Sequence, residues 1–304
     1  MKVPSSFGSK DAGSVAGATV LERHNVVVVG EGPELLFLSH GFGTNQQIWG
    51  GILEHLDLQN TYKVIMWDLM GAYSTNPEGF NFQRYSTLHG YADDLLEVLD
   101  ELGVESCTYI AHSVSGMIGV IASVERPNVF KRLILIGASA RYLDTTGYKG
   151  GFTLEQLDQV FAAMQDNYKV WASGFAPMVI GEDVESPHVR EFCRSLFLIR
   201  PDIAFSTLRT IFTCDLRHLL PQVSVQVHLL QTARDAAVPW DAVQYMLDAF
   251  PNACVEMVPV AGHLPHLTHP ETVSDAILRH LAMPLRQRKN NATPVSPVPS
   301  EDAF

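Results

Sequence analysis

Short apolar runs recur along this chain with helical patterns between most of them, and that rhythm restricts the fold more than any other feature. The runs occupy residues 26–29, 35–39, 63–67, 108–111, 133–136, 227–231 and 254–258. Each is too short for a helix and is rich in residues that suit a buried strand. A helical pattern at 91–99, closed by Gly103, is typical of what separates them. Strands alternating with helices imply an α/β fold, a mostly parallel central sheet with helices on both faces. At 304 residues and 46% apolar composition, the chain can bury one such domain with an insertion. No internal repeat is visible.

The rhythm breaks between residues 152 and 213, where helical segments follow one another with no strand between them. Thr153-Leu154-Glu155-Gln156 is a capping box that opens the first. The second covers 168–178. Ser186-Pro187 starts the third, with proline at its first helical position, and Pro201-Asp202 starts the fourth. The expected organisation is a disordered leader at 1–20, a core at 21–151 and 214–285, a four-helix cap at 152–213, and a Pro/Ser-rich disordered tail at 286–304. The cap is dense in aromatic residues, among them Phe152, Phe161, Trp171, Phe175, Phe192 and Phe212. Such residues pack helices together, and they also line an apolar cavity for a small ligand.

The chemistry is concentrated at Tyr109-Ile110-Ala111-His112-Ser113-Val114-Ser115-Gly116-Met117. A strand stops at small residues, a serine follows, and a helical pattern begins. This is the form of a nucleophile elbow, whose tight turn excludes large side chains two residues either side of the serine. Ala111 and Ser115 stand where glycine is usual, and both are small. The plainer role for Ser113 is a helix cap. Its partners decide between them. In an α/β-hydrolase the order is serine, acid, histidine. Asp235 follows the strand at 227–231, at a carboxyl end where α/β sites collect. His263 follows the strand at 254–258, and Gly262 before it frees the backbone. The expected triad is Ser113, His263 and Asp235, with Asp215 as the competing acid. The strand at 35–39 ends in His40-Gly41-Phe42-Gly43, which supplies an oxyanion site from the amides of Phe42 and Val114.

Composition removes several classes. A formal charge of −12 argues against nucleic acid or an anionic membrane as partner. No apolar run reaches the ~18 residues of a membrane span. The four cysteines, Cys107, Cys193, Cys214 and Cys254, have no C-x-x-C spacing and read as reduced core thiols. No signal peptide is evident, and the sequon at Asn291 falls in the expected tail. His263, His266 and His269 are the one candidate metal set; Pro265 interrupts it and no acidic cluster accompanies it, so neither metal nor cofactor is expected.

The motifs His40-Gly41-Phe42-Gly43-Thr44, His112-Ser113-Val114-Ser115, Arg141-Tyr142, Gly150-Gly151-Phe152, Trp171 with Gly174-Phe175-Ala176-Pro177, Arg200-Pro201-Asp202-Ile203 and Gly262-His263-Leu264-Pro265 form one set. Together they resemble the plant strigolactone and karrikin receptors, the DWARF-type and KARRIKIN INSENSITIVE-type α/β-hydrolases. The likeness covers about residues 21–281. Tyr142, the run 117–123 and Glu105-Ser106-Cys107 lean toward the karrikin type. The resemblance implies a butenolide hormone receptor that is also a slow serine hydrolase of ester, enol-ether or lactone bonds. The alternative is a metabolic carboxylesterase or lactonase with no signalling partner. It further implies ligand-dependent docking to an F-box leucine-rich-repeat protein and Clp-like transcriptional repressors, and a cytoplasmic and nuclear location. Carried over by motif, the ligand pocket is Phe42, His112, Tyr142, Phe152, Val160, Trp171, Phe175, Phe192, Ile211, Phe212 and Ala237. The chain departs from the family at Ala111, Ala140, Leu198-Ile199 and Met70-Gly71-Ala72-Tyr73.

Overall fold

The computed structural model describes residues 17–285. Residues 1–16 of the expected leader, the tail at 286–304 and the Asn291 sequon lie outside the described residues. Thr19 caps a helical turn, α1 (Val20–Arg23), by accepting from the Glu22 amide. Helical structure therefore begins ahead of the boundary placed at residue 21.

Seven strands form one sheet. In chain order the elements are β1 (Val27–Val29), β2 (Glu34–Ser39), α2 (Gly50–Leu53), β3 (Tyr62–Trp67), α3 (His89–Glu101), β4 (Cys107–His112), α4 (Val114–Glu125) and β5 (Phe130–Ile136). Four helices follow: α5 (Leu154–Asp166), α6 (Tyr168–Ile180), α7 (Pro187–Leu198) and α8 (Pro201–Thr213). The chain then returns through β6 (Gln226–Arg234), α9 (Trp240–Ala249), β7 (Ala253–Ala261), α10 (Pro265–Thr268) and α11 (Pro270–Ala282). The strand order is β1-β3-β2-β4-β5-β6-β7. Only β1 runs antiparallel to its neighbour.

Pleating sorts each strand between two apolar layers. Phe37, Tyr109, Leu133, Leu135 and Leu229 face α3, α4 and the four-helix insert, while Leu36, Leu38, Ile110, Ile134 and Leu230 face α2 and α11. Because both faces are covered, the central strands read as continuous apolar runs. β6 and β7 extend further than their apolar runs because they still pair at Arg234 and Ala261, where the residues are polar or half-exposed and hydrophobicity gives no signal.

Local sequence fixes the ends of the inserted helices. Thr153 and Gln156 form both halves of a capping box on α5. Asn167 accepts from the Val170 amide to start α6. Ser186 accepts from the His188 amide with Pro187 at the first position of α7.

The order of the strands also locates the site. β3 and β4 lie on opposite sides of β2, so the chain reverses direction across the sheet between β2 and β4. Loops leaving the carboxyl ends of such a pair splay apart and open a crevice. The loop after β2 carries Phe42, and the turn after β4 carries Ser113.

Candidate active site

Ser113 sits between β4 and α4 with φ 55° and ψ −125°. A non-glycine residue held at positive φ costs on the order of 1–3 kcal/mol and persists only where its surroundings impose it. Here the Ser113 amide donates to the Ile136 carbonyl at 2.9 Å. The turn presents the hydroxyl to His263, whose Nε2 lies 2.9 Å from Ser113 Oγ. His263 Nδ1 lies 2.9 Å from Asp235 Oδ2 and 3.0 Å from Oδ1.

Burial alone would raise the Asp235 carboxyl. It is outweighed by His263 and by the amides of Ala237 and Val238, so the group lies below the ordinary carboxylate value. Those amides donate to Oδ1 at 2.8 and 3.1 Å. Asp235 therefore stays ionised and fixes the Nδ1–H tautomer that leaves Nε2 free to accept a proton. Asp215 is committed elsewhere: Arg141 and Arg217 both donate to it, and the Arg217 hydrogen bonds lead in lowering it to about 2.

Gly262 has φ 92°, and a Cβ there would stand 2.1 Å from the Ile180 carbonyl oxygen. No other residue lets the end of α6 approach so closely. The approach allows the His263 amide to donate to the Val179 carbonyl at 2.7 Å, tying the inserted helices to the histidine.

The loop after β2, where the oxyanion site is expected, is held by a relay. Trp67 Nε1 donates to Ser39 Oγ at 2.8 Å, Ser39 to Ser115 Oγ at 2.9 Å, and Ser115 to the His40 carbonyl at 2.5 Å. The serine that replaces the usual glycine in the elbow thus binds elbow and loop together. His40 Nε2 accepts from the Leu69 amide at 2.9 Å, so its Nδ1–H donates to the Gly41 carbonyl at 2.8 Å. Val114 opens α4, and its amide, in the first turn, has no acceptor within the helix.

Above Ser113 and His263 lies a narrow cavity of about 40 Å3. Of the expected pocket residues, Phe42, His112, Tyr142, Phe175, Phe192, Ile211, Phe212 and Ala237 line it. Phe152, Val160 and Trp171 do not. Phe152 packs on Phe212 with ring centroids 4.9 Å apart, Trp171 stacks on Phe175 at 4.8 Å, and Val160 packs against the core. Val179, Leu208 and Leu264 line the cavity as well, beyond the residues the motifs indicate. Leu208 shares a helical stripe with Ile211 and Phe212, a spacing that could have flagged it. A larger, more open cleft runs outside the Asp235 loop beside Trp240 and Met257, without reaching Ser113.

The walls are poor in charge. Burial, with His266 and His263 nearby, holds His112 well below the usual histidine value, and its Nε2–H donates to the His263 carbonyl at 2.8 Å. The Tyr142 phenol is raised, chiefly by burial. Its hydroxyl lies close to Ser113 and lines the cavity, where it can donate to a bound molecule. Of the three candidate metal-ligating histidines, His263 faces Ser113 and Asp235, His266 packs against Trp49 and His112, and His269 meets Thr268.

A mostly parallel sheet with a serine, a histidine and an aspartate in line at its switch point is the architecture of a serine hydrolase. The model of the alpha/beta hydrolase family matches residues 35–276. The chain is 50% identical to a karrikin insensitive 2 receptor of Petunia hybrida, over 86% of this chain and 97% of the relative. It is 46% identical to a strigolactone esterase of Arabidopsis thaliana, over the same shares. A solved hydrolase of Oleispira antarctica superposes with a TM-score of 0.82 at 31% identity, covering 86% of this chain and 96% of the other. The chain belongs to the alpha/beta hydrolase family and, within it, to the group of karrikin insensitive receptors and strigolactone esterases.

Proposed function

We propose that the chain is a receptor for a small apolar butenolide, strigolactone-like or karrikin-like, and also a slow serine hydrolase of that ligand. The observation that carries this reading is a nucleophile in line with its base and acid at the floor of an apolar cavity, in a chain half identical to a karrikin insensitive receptor. We take 152–213 as a cap over a core formed by 21–151 and 214–285.

The chemistry follows from the geometry. His263 Nε2 takes the Ser113 proton as Oγ attacks the carbonyl carbon of an ester or of an enol-ether-linked lactone. The oxyanion is met by the amides of Phe42 and Val114. His263 then gives its proton to the leaving oxygen, and water attacks the acyl-serine on the same base. Turnover is slow because the cavity is roofed by α6, α7 and α8, whose residues must part to release product.

As the family resemblance implies, the cap also docks an F-box leucine-rich-repeat protein and Clp-like repressors in the cytoplasm and nucleus. Leu198, one of the departures, is 60% exposed on α7 and bears on that docking. No described helix is long and apolar enough to cross a membrane.

The test is thermal unfolding of wild type and Ser113→Ala with synthetic strigolactone and karrikin analogues. A ligand that only occupies the native state raises the melting temperature. A receptor whose cap changes state after ligand chemistry shows a lowered one in wild type and a raised one in Ser113→Ala. No shift in either protein at saturating analogue leaves a plain esterase.

A further inference from the structure

On the far face of the sheet, a second group of reactive side chains converges beneath the last helix. His228 on β6 and Cys254 on β7 are partners in the parallel register, so their side chains emerge on the same face. α11 lies across that face. Its buried residues Val273, Ala276 and Ile277 belong to the apolar layer with Leu230 and Val258, and His280 continues the same helical stripe. The result is His228 Nδ1 2.6 Å from His280 Nδ1, with Cys254 Sγ 3.3 Å from the first and 3.9 Å from the second. Both histidines are buried, and Cys254 is half-buried.

We propose that His228, Cys254 and His280 form a binding site for one Zn2+ ion that clamps α11 to the sheet.

The donor set suits this cation: two imidazole nitrogens and one thiolate, with water reaching the fourth position past the half-buried cysteine. Tetrahedral zinc, with Zn–N about 2.0–2.1 Å and Zn–S about 2.3 Å, places S and N about 3.6 Å apart and the two nitrogens about 3.3 Å apart. The sulfur distances bracket the first value, and the imidazoles must separate by about 0.7 Å to reach the second. Outside the trio, His280 Nε2–H donates to Glu256 Oε2 at 2.9 Å, and Arg279 in turn donates to Glu256. That carboxylate aims the Nδ1 lone pair inward, the support that metal-bound histidines regularly carry. The rival arrangement is metal-free, an N–H···N hydrogen bond between the imidazoles with the Cys254 thiol hydrogen-bonded beside them. The site is distinct from the triad: His228 lies on β6 and precedes Asp235, which follows the end of that strand, by seven residues, about 23 Å at ~3.3 Å per residue.

The experiment titrates Zn2+ into reduced, chelator-stripped full-length protein against a chromophoric chelator, and follows Co2+ loading by absorption. One ion per chain is expected, with a thiolate-to-cobalt charge-transfer band. Zn2+ should raise the melting temperature by several degrees and leave ester cleavage within twofold. Cys254→Ser should abolish the band and weaken Zn2+ binding at least tenfold. Glu256→Gln keeps all three ligands and should weaken binding 10- to 100-fold, so the proposal stays testable if Cys254→Ser fails to fold. Absence of stoichiometric Zn2+ in wild type, a band that survives Cys254→Ser, or unchanged affinity in Glu256→Gln would overturn it.

Discussion

At the scale of single residues, the triad and its supports divide the labour. Ser113→Ala removes a hydroxyl that accepts no capping hydrogen bond, so ester cleavage should fall by about 10^4-fold or more while the melting temperature holds within a few degrees. Asp235→Asn should slow cleavage about as much, because an amide favours the wrong histidine tautomer. Asp215→Asn should leave cleavage within a few-fold and instead reduce stability. Its carboxylate, drawn down to about 2 by Arg217 and Arg141, stabilises the fold fully above about pH 4 and progressively less as pH falls toward 2. Steady-state assays and melts of both variants separate the two acids, and a damaging Asp215→Asn with a mild Asp235→Asn would reverse the assignment. Ser115→Ala strands the His40 carbonyl and the Ser39 hydroxyl, at a stability cost of about 1–3 kcal/mol. Because these groups hold the proposed oxyanion loop, kcat should drop at least tenfold with KM little changed; an unchanged kcat would reduce Ser115 to packing.

At the scale of elements, α6 touches both the cavity and His263. One end of its inner face carries Trp171 stacked on Phe175, and only Phe175 reaches the cavity. Phe175→Ala should weaken butenolide binding more than tenfold, whereas Trp171→Ala should act mainly on stability, by about 3–5 kcal/mol if the site cannot collapse. Ligand titrations and denaturant curves on the pair would expose the reverse pattern. At its other end, α6 accepts from the His263 amide across Gly262. Gly262→Ala drives a methyl group into the Ile180 carbonyl and must push helix and histidine apart. Cleavage should drop at least tenfold even in molecules that fold.

The whole molecule carries an electrostatic liability in its buried histidines. His112 and His266 lie side by side, 4.4 Å between ring centroids. Burial, joined for His266 by nearby His263 and His40, lowers its value to about 3, and His112 is also held low. The native state refuses protons that the unfolded chain takes up near pH 6.5. Stability is therefore full above about pH 6.5 and declines as pH falls toward 3. At pH 5 each such histidine costs about 2 kcal/mol. Melts from pH 7.5 to pH 5 should show a steady fall that His266→Gln flattens; a flat wild-type profile would mean that these rings are protonated without penalty.

Local pattern was enough to read the alternation of strands and helices, the helical insert with its capping box, and the elbow at Ser113 followed in order by Asp235 and His263. These features depend on residues close in sequence, where pleat, helical spacing and capping chemistry act directly. The order of motifs already favoured Asp235, and what long-range packing added is the pair of arginines that engages the competing Asp215. Which residues touch the cavity and which stand behind them depended on how α5 packs on α6 and α8 and α6 on α7, and Phe152, Val160 and Trp171 fell outside while Val179, Leu208 and Leu264 came in. The role of Ser115 was hidden because its partners, Ser39 and His40, lie on another strand. No spacing in the chain links His228, Cys254 and His280. Strand register and the stripe of α11 bring them together, and only packing across the sheet can place three such distant side chains within reach of one ion.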